Sequence, residues 1–410
     1  MSVRRVLVVV HRYVGLAIAL FLVVAGLTGS ILAYQHELDV VLNPSLFHAE
    51  APSPGAEPLT FLHMRQRLLE QLPGADVSYV PLRFTPNQSV LFYASAGEAG
   101  PELDNDQYFV DPYTGNLLGG RRWSDISQGP KNLIPFIYKL HYSLALGSVG
   151  KFLLGVVALL WTIDCFVGAW LTFPPRPKST TNKRSSKGWW RLWFKSWLFK
   201  TGGLYKATFT WHRAGGLWLW GMLLVFAWSS VGMNLAEVYE PIMKPLFGLD
   251  EHPYFTIPKL DQPRHTSEIS WPEAIQRGRE IMAAQADARG FEVQQPQYLR
   301  YSASQGVYRY QVRSSLDITK RYPSTVIWFD SNTGEQVAFL APTGQTAGNT
   351  ITTWLDNLHF AAVGGWPYQA FVCLLGLAVT ALSVSGVIIW HKKWKARRSQ
   401  RKNNRSAQVK

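Results

Sequence analysis

His11-Arg12-Tyr13-Val14-Gly15-Leu16 opens an apolar run near the start of the chain, and His212-Arg213-Ala214-Gly215-Gly216-Leu217 opens another in its second half. Leu140-His141 precedes a third apolar run, and Leu358-His359 precedes a fourth. Between them, Phe109-Val110-Asp111-Pro112-Tyr113-Thr114-Gly115 is answered by Trp328-Phe329-Asp330-Ser331-Asn332-Thr333-Gly334. An internal repeat fixes architecture before any single residue is read. This one says that the chain is one plan written twice, with a histidine at two corresponding places in each copy.

Working outward, the apolar residues concentrate at roughly 6–34, 150–173, 214–236 and 366–391. Each run is long enough to cross a ~30 Å hydrocarbon core at 1.5 Å per residue. The rival reading, a buried helix of a soluble protein, calls for shorter and more amphipathic runs. Arg4 and Arg5 before the first run resemble a signal peptide, but the run is too long and Ser30-Ile31-Leu32-Ala33 is a poor cleavage site, so it reads as an uncleaved span. The expected fold is an α-helical membrane protein with four transmembrane helices arranged as a parallel internal repeat, plus two α/β extracytoplasmic domains. In residues, the spans are 1–34, 150–173, 211–236 and 366–391; the outer domains are 35–149 and 237–365; the basic segments are 174–210 and 392–410.

Net charge is +14, and its location sets the orientation. Segment 174–210 carries Arg176, Lys178, Lys183, Arg184, Lys187, Arg191, Lys195, Lys200 and Lys206 and no acid; the tail after His391 is equally one-sided. The positive-inside rule puts these segments and both termini in the cytoplasm, and the two long segments in the periplasm of a bacterial inner membrane. Nucleic-acid binding is set aside, because basic clusters beside spans are what membrane orientation requires. The only two cysteines, Cys165 and Cys373, sit inside spans, which excludes a disulfide framework or a cysteine-rich metal site.

Each outer segment reads as mixed α/β. Leu59 to Leu72 and Trp271 to Ala284 have helical spacing; Ser89 to Tyr93, Gln107 to Val110, Val307 to Val312 and Ser324 to Phe329 read as strands. The two Asp-x-x-Thr-Gly stretches are turns, with Asp capping and Gly taking the left-handed position, and not catalytic motifs. In the basic loop, Trp190, Trp193, Phe194 and Trp197 share one helical face, which suits a helix lying in the inner interface as an anchor.

The histidines form two levels. His11 and His36 would lie about 37 Å apart along one helix and so mark opposite membrane faces. His212 joins His11 at the inner face; His141 and His359 lie at the outer face. A haem near the pseudo-two-fold axis takes one axial imidazole from each half, and two imidazoles favour electron transfer over oxygen chemistry. The expected iron ligands are therefore His11 with His212 and His141 with His359, with His36 and His391 as substitutes and two haems as the full complement. Arg12, Arg213 and Lys139 are the cations placed for haem propionates. For an isolated histidine, the plain reading is an interfacial residue with its polar tip among headgroups; four at matched positions favour ligation. Asp164 is the one carboxylate well inside a span; it takes a proton, orients a ligand histidine, or bonds across helices to Ser383 or Thr380.

The two His-Arg-x-x-Gly-Leu motifs, the two Leu-His motifs and the paired Asp-x-x-Thr-Gly turns resemble the PepSY-associated transmembrane family over roughly residues 4–395. The resemblance implies PepSY-like outer domains, haem b, and reduction of siderophore-bound Fe(III) to Fe(II) in the periplasm. It also implies a ferric siderophore as substrate and further inner-membrane or periplasmic iron-release proteins as partners. No Gly-x-Gly-x-x-Gly follows a strand, so the electron donor is a separate cytoplasmic protein or a quinol. Two rivals remain: a non-enzymatic, membrane-anchored periplasmic binding or peptidase-regulating module, and a transporter built on the repeat and Asp164.

Overall fold

The computed structural model describes residues 2–98, 100–175 and 186–408. Arg176, Lys178, Lys183 and Arg184 of the predicted basic loop lie outside the described residues. In chain order the principal helices are α1 (Val3–Leu32), α2 (Gln35–Leu42), α3 (Phe61–Gln71), α4 (Leu133–Ser143), α5 (Gly147–Thr172), α6 (Ser186–Phe194), α7 (Leu204–Trp218), α8 (Trp220–Asn234), α9 (Trp271–Arg289), α10 (Ala347–His359) and α11 (Gly365–Gln408). The principal strands are β1 (Tyr79–Pro81), β2 (Val90–Tyr93), β3 (Gln107–Val110), β4 (Leu117–Arg121), β5 (Val293–Ser302), β6 (Val307–Ser314), β7 (Thr325–Asp330) and β8 (Gln336–Leu340). They sort into two compact units. A helical one is drawn from Met1–Ala33, Lys139–Tyr239 and Leu358–Lys410, and a mixed α/β one from Tyr34–Tyr138 and Glu240–Asn357.

In the helical unit, α1, α5 and α11 are each long and apolar enough to cross a membrane. The run predicted as a single span over 211–236 is instead two helices, α7 and α8, bent by 69° at Leu219. Gly215, Gly216 and Gly221 flank that break, and glycine pairs are a usual place for a helix to kink. Only together are the two helices long and apolar enough to cross a membrane. At the other end of the chain, α11 carries straight on through the predicted basic tail.

Small residues let these helices approach closely, as is usual where apolar burial cannot drive association in lipid. A Cβ on Gly26 of α1 would lie 2.6 Å from the Gly376 carbonyl of α11. Beside this crossing the Ser30 hydroxyl donates to the Cys373 carbonyl at 2.8 Å, and Gln369 Nε2 donates to the Ala33 carbonyl at 3.0 Å. Ile18, Leu22, Val157, Cys165, Leu223, Leu375 and Val379 fill the centre of the unit. The aromatic helix α6 lays Trp189 and Trp193 on Phe173 just past the end of α5, at ring separations of 5.6 and 5.1 Å.

In the mixed unit, β3 stands between β2 and β4 in one antiparallel sheet, and α3 seats Met64 and Leu68 against Val90, Phe92, Tyr108 and Val110. The second sheet runs β8-β7-β6-β5-β1, and α9 covers it with Ala274, Ile281 and Met282. Its last strand is a guest from the first half of the chain: Tyr79 pairs with Arg300, Val80 with Leu299 and Pro81 with Tyr298. The two outer segments therefore share a sheet and pack as one unit. The paired turns are built alike. Asp111 Oδ1 accepts from the amides of Tyr113 and Thr114, Asp330 Oδ1 accepts from those of Asn332 and Thr333, and Gly115 and Gly334 follow at φ 75° and 70°. A buried ion pair, Arg121 with both oxygens of Asp39 at 3.0 and 2.8 Å, fastens α2 to β4.

Candidate functional site

Four helices bring four imidazoles together in two pairs. His11 on α1 stands beside His212 on α7, with ring centres 6.2 Å apart. His141 on α4 stands beside His359 at the end of α10, with ring centres 6.3 Å apart. Each pair takes one histidine from each half of the chain. His141 leans on Thr28 of α1, seventeen residues beyond His11, so the two pairs are separated by about 25 Å along that helix.

Every one of the four rings is held by its Nδ1. In three cases the holder is a hydroxyl on a neighbouring helix. Thr28 Oγ1 lies 2.9 Å from His141, Ser385 Oγ 2.9 Å from His212, and Ser229 Oγ 2.7 Å from His359. Each hydroxyl spends its own proton on a carbonyl of its helix: Thr28 on Val24, Ser385 on Leu382, Ser229 on Phe226. It can then only accept from the ring. In the fourth case Asp164 Oδ1 stands 2.9 Å from His11 Nδ1, and a carboxylate too is an acceptor. The network therefore assigns the ring proton to Nδ1 in all four histidines and leaves the lone pair on Nε2.

The spacing tests whether a metal-centred group fits between the rings. Two imidazoles joined by a direct N–H···N bond of about 2.9 Å would have ring centres roughly 5.1 Å apart. Two imidazoles on opposite sides of a metal, each nitrogen about 2.0 Å from it, would have centres roughly 6.3 Å apart. The separations of 6.2 and 6.3 Å match the second case and are too long for the first. Planes at 60° and 68° are compatible with it, because each ring is free to turn about its own nitrogen–metal axis. Among the described residues no third His, Cys, Asp or Glu completes a metal site. Zinc would want at least three protein ligands. Two imidazoles alone suit a metal that brings its other ligands in a macrocycle, as haem does.

Burial agrees. It pushes the pKa of His141 down to about 4 and that of His359 down to about 3, the latter also through its neighbour His141, so both are the neutral form a metal binds. Both rings nevertheless keep part of their surface accessible, so open space adjoins side chains that are otherwise deep in the protein. Phe226 stacks on His359 at 4.6 Å. Near the other pair, Arg213 Nε is buried with no hydrogen-bond partner among the described residues, a donor suited to a propionate.

The remaining predicted residues divide. Asp164 orients His11; Ser383 and Thr380 instead bond the Val379 and Gly376 carbonyls of their own helix. Arg12 sits 6.0 Å over the ring of its neighbour Tyr13, and Lys139 lies two residues before His141 on α4. His36 has left the span: α1 ends at Leu32, and His36 on α2 packs edge-on against Phe47. His391 contacts Trp390 and Trp394 on α11 and joins neither pair.

Sequence reasoning offered Asp164 as a ring holder but missed the three hydroxyls, Thr28, Ser229 and Ser385, and the glycines near the rings. A Cβ on Gly29 would lie 3.1 Å from His141 Cε1, one on Gly168 3.5 Å from His11 Cε1, and one on Gly386 3.4 Å from His212 Cε1. The signal was present in Thr28-Gly29 and Ser385-Gly386. Inside an apolar span, a hydroxyl followed by the weakest helix former marks a close polar approach. Gly29→Leu should drive a branched side chain into the His141 ring. The expected result is loss of whatever the His141–His359 pair binds, with the His11–His212 pair unaffected, read as a halved cofactor content in the purified protein.

No curated protein matches the chain. A family model described as the PepSY-associated TM region matches residues 8–393. The repeat, the membrane helices and the paired histidines all fall within that match, and the chain belongs to the PepSY-associated TM region family.

Proposed function

We propose that the chain binds b-type haem at each imidazole pair and works as a bacterial inner-membrane reductase, converting siderophore-bound Fe(III) to Fe(II) on the periplasmic side. One observation carries the reading: two pairs of Nδ1-anchored imidazoles, at ring separations of 6.2 and 6.3 Å, stand at two depths of one set of apolar helices. Bound there, haem supplies reversible one-electron chemistry. The protein's part is to hold and orient. Thr28, Ser229, Ser385 and Asp164 fix each ring and keep its Nε2 lone pair available. The apolar core between the pairs keeps water out. If each imidazole pair holds its haem iron with both rings, the ferric chelate would be met elsewhere on the chain.

On this reading the positive-inside rule puts the His11–His212 pair toward the cytoplasm and the His141–His359 pair toward the periplasm. One electron per iron, taken from a cytoplasmic protein or a quinol, completes the reaction. Fe(II) fits hard oxygen chelators less well than Fe(III), so reduction releases the metal. A transporter reading would need Asp164 free to serve a substrate path, and that carboxylate is engaged by His11.

The test is a visible spectrum of the full chain, purified in detergent from cells supplied with haem precursor. The expected result is the sharp reduced bands of low-spin haem, bleached toward the oxidised form when a ferric siderophore is added under argon. A colourless protein under these conditions would sink the reading.

A further inference from the structure

We propose that the cleft beside the shared strand β1 binds an anionic, aryl-bearing metal chelate, one whose arms are catecholate or salicylate groups. That the metal is iron rests on the reductase reading; the cleft's own chemistry does not. The cavity encloses about 370 Å³, within the usual range for small-molecule sites. It opens where β1 crosses from the first half of the chain to the second-half sheet. Its wall includes Tyr79 and Tyr298, with ring centres 5.0 Å apart. Gln311 braces that wall, accepting from the Tyr298 hydroxyl at 2.7 Å and donating to the Pro323 carbonyl at 2.6 Å. Arg83, Arg321 and Tyr322 complete it.

The charge is one-sided. None of the thirteen lining residues is Asp or Glu, and two are arginine. Arg321 meets Glu37 at 3.8 Å, a long contact with a half-exposed carboxylate, and Arg83 has no ion-pair partner among the described residues. A third guanidinium stands behind the wall. Arg309 packs 5.5 Å from the Tyr298 ring and 5.4 Å from Trp328, and its Nε is buried without a partner among the described residues. Cations beside low-dielectric walls focus a positive potential and draw anions in. A guanidinium matches paired oxygens in one plane, as a catecholate or salicylate presents them. The tyrosine side chains that line the cleft add aromatic surface for the aryl ring that carries those oxygens. A neutral, aliphatic chelate would use neither feature. The neighbouring cleft of about 500 Å³ balances Arg300 with Asp106 and offers no such bias.

The probe is gallium(III) tris(catecholate), which has the charge and shape of the ferric complex and no accessible reduction, titrated into the full chain with tryptophan fluorescence as readout. Saturable binding is expected, weakened by added salt, with at least a ~10-fold loss for Arg83→Ala/Arg321→Ala and partial recovery in the double lysine variant. Circular dichroism melting confirms that the double variant is folded; if it is not, the single variants replace it, each expected to lose affinity. Equal affinity for neutral gallium tris(acetohydroxamate), or unchanged binding in every folded arginine variant, would overturn the proposal. Binding to a haem-free protein would keep the cleft and remove the reductase; a haem-loaded protein that ignores the probe would do the reverse.

Discussion

On the proposed two-haem reading, His141→Ala should strip one haem from the protein and leave the other. The two pairs are about 25 Å apart along α1, and each is held by its own side chains, so losing a ligand at one level does not disturb the other. Pyridine haemochrome assays should show about half the haem per chain in His141→Ala or His359→Ala, and the same in His11→Ala or His212→Ala. His11→Ala/His141→Ala should be colourless. Reduction of a ferric siderophore by a donor on the cytoplasmic side should fall to background in all of them. His36→Ala and His391→Ala should keep the full content, because those rings contact Phe47 and the tryptophans of α11 and not another histidine. If a single paired-histidine variant retains both haems, or if His36→Ala loses one, the ligand assignment is wrong.

Asp164→Asn should raise the midpoint potential of one haem only. Three of the ring nitrogens donate to neutral hydroxyls; His11 alone donates to a carboxylate, at 2.9 Å. A carboxylate acceptor gives the imidazole more anionic character, makes it a stronger donor to iron, and favours the ferric state. A charge-assisted hydrogen bond is worth roughly 1.4 kcal/mol more than a neutral one; if all of that difference were felt in the ferric state only, a one-electron couple would shift by about 60 mV, which is the upper bound expected. The wild-type haem on the cytoplasmic side is therefore expected to have the lower potential, so that electrons run downhill toward the periplasm. Spectroelectrochemical titration should show two waves in the wild type and a narrower separation in Asp164→Asn. An unchanged pair of potentials would mean that the carboxylate only positions the ring. Loss of that haem would mean that the ring needs its charge to stay in place, in which case Asp164→Glu, which restores the charge, should bring the haem back.

The helical part of this architecture was legible because each feature left a one-dimensional mark. Long apolar runs gave the helices, and repeated His-Arg and Leu-His dipeptides brought the histidines into view. What was not legible depended on contacts between distant segments. The break at Leu219 lies inside a predominantly apolar run, so hydropathy averages over it and gives one span, although Gly215, Gly216 and Gly221 flank the bend. Thr28, Ser229 and Ser385 matter only through the ring each one faces, and nothing in their immediate sequence names that ring. His36 is a candidate only on an unbroken helix, whereas the helix ends at Leu32 and the chain turns before it restarts at Gln35. The short strand Tyr79–Pro81 carries no sign in its sequence that its partner is Leu299 and its neighbours, far along the chain.

That borrowed strand has a consequence for how the protein is made. Until the ribosome has delivered Val293–Ser302, Tyr79–Pro81 has an open row of amides and carbonyls and nothing native to zip to. A polypeptide stopped before Val293 would carry that sticky border permanently, and a second half expressed alone would carry its counterpart along Tyr298–Arg300.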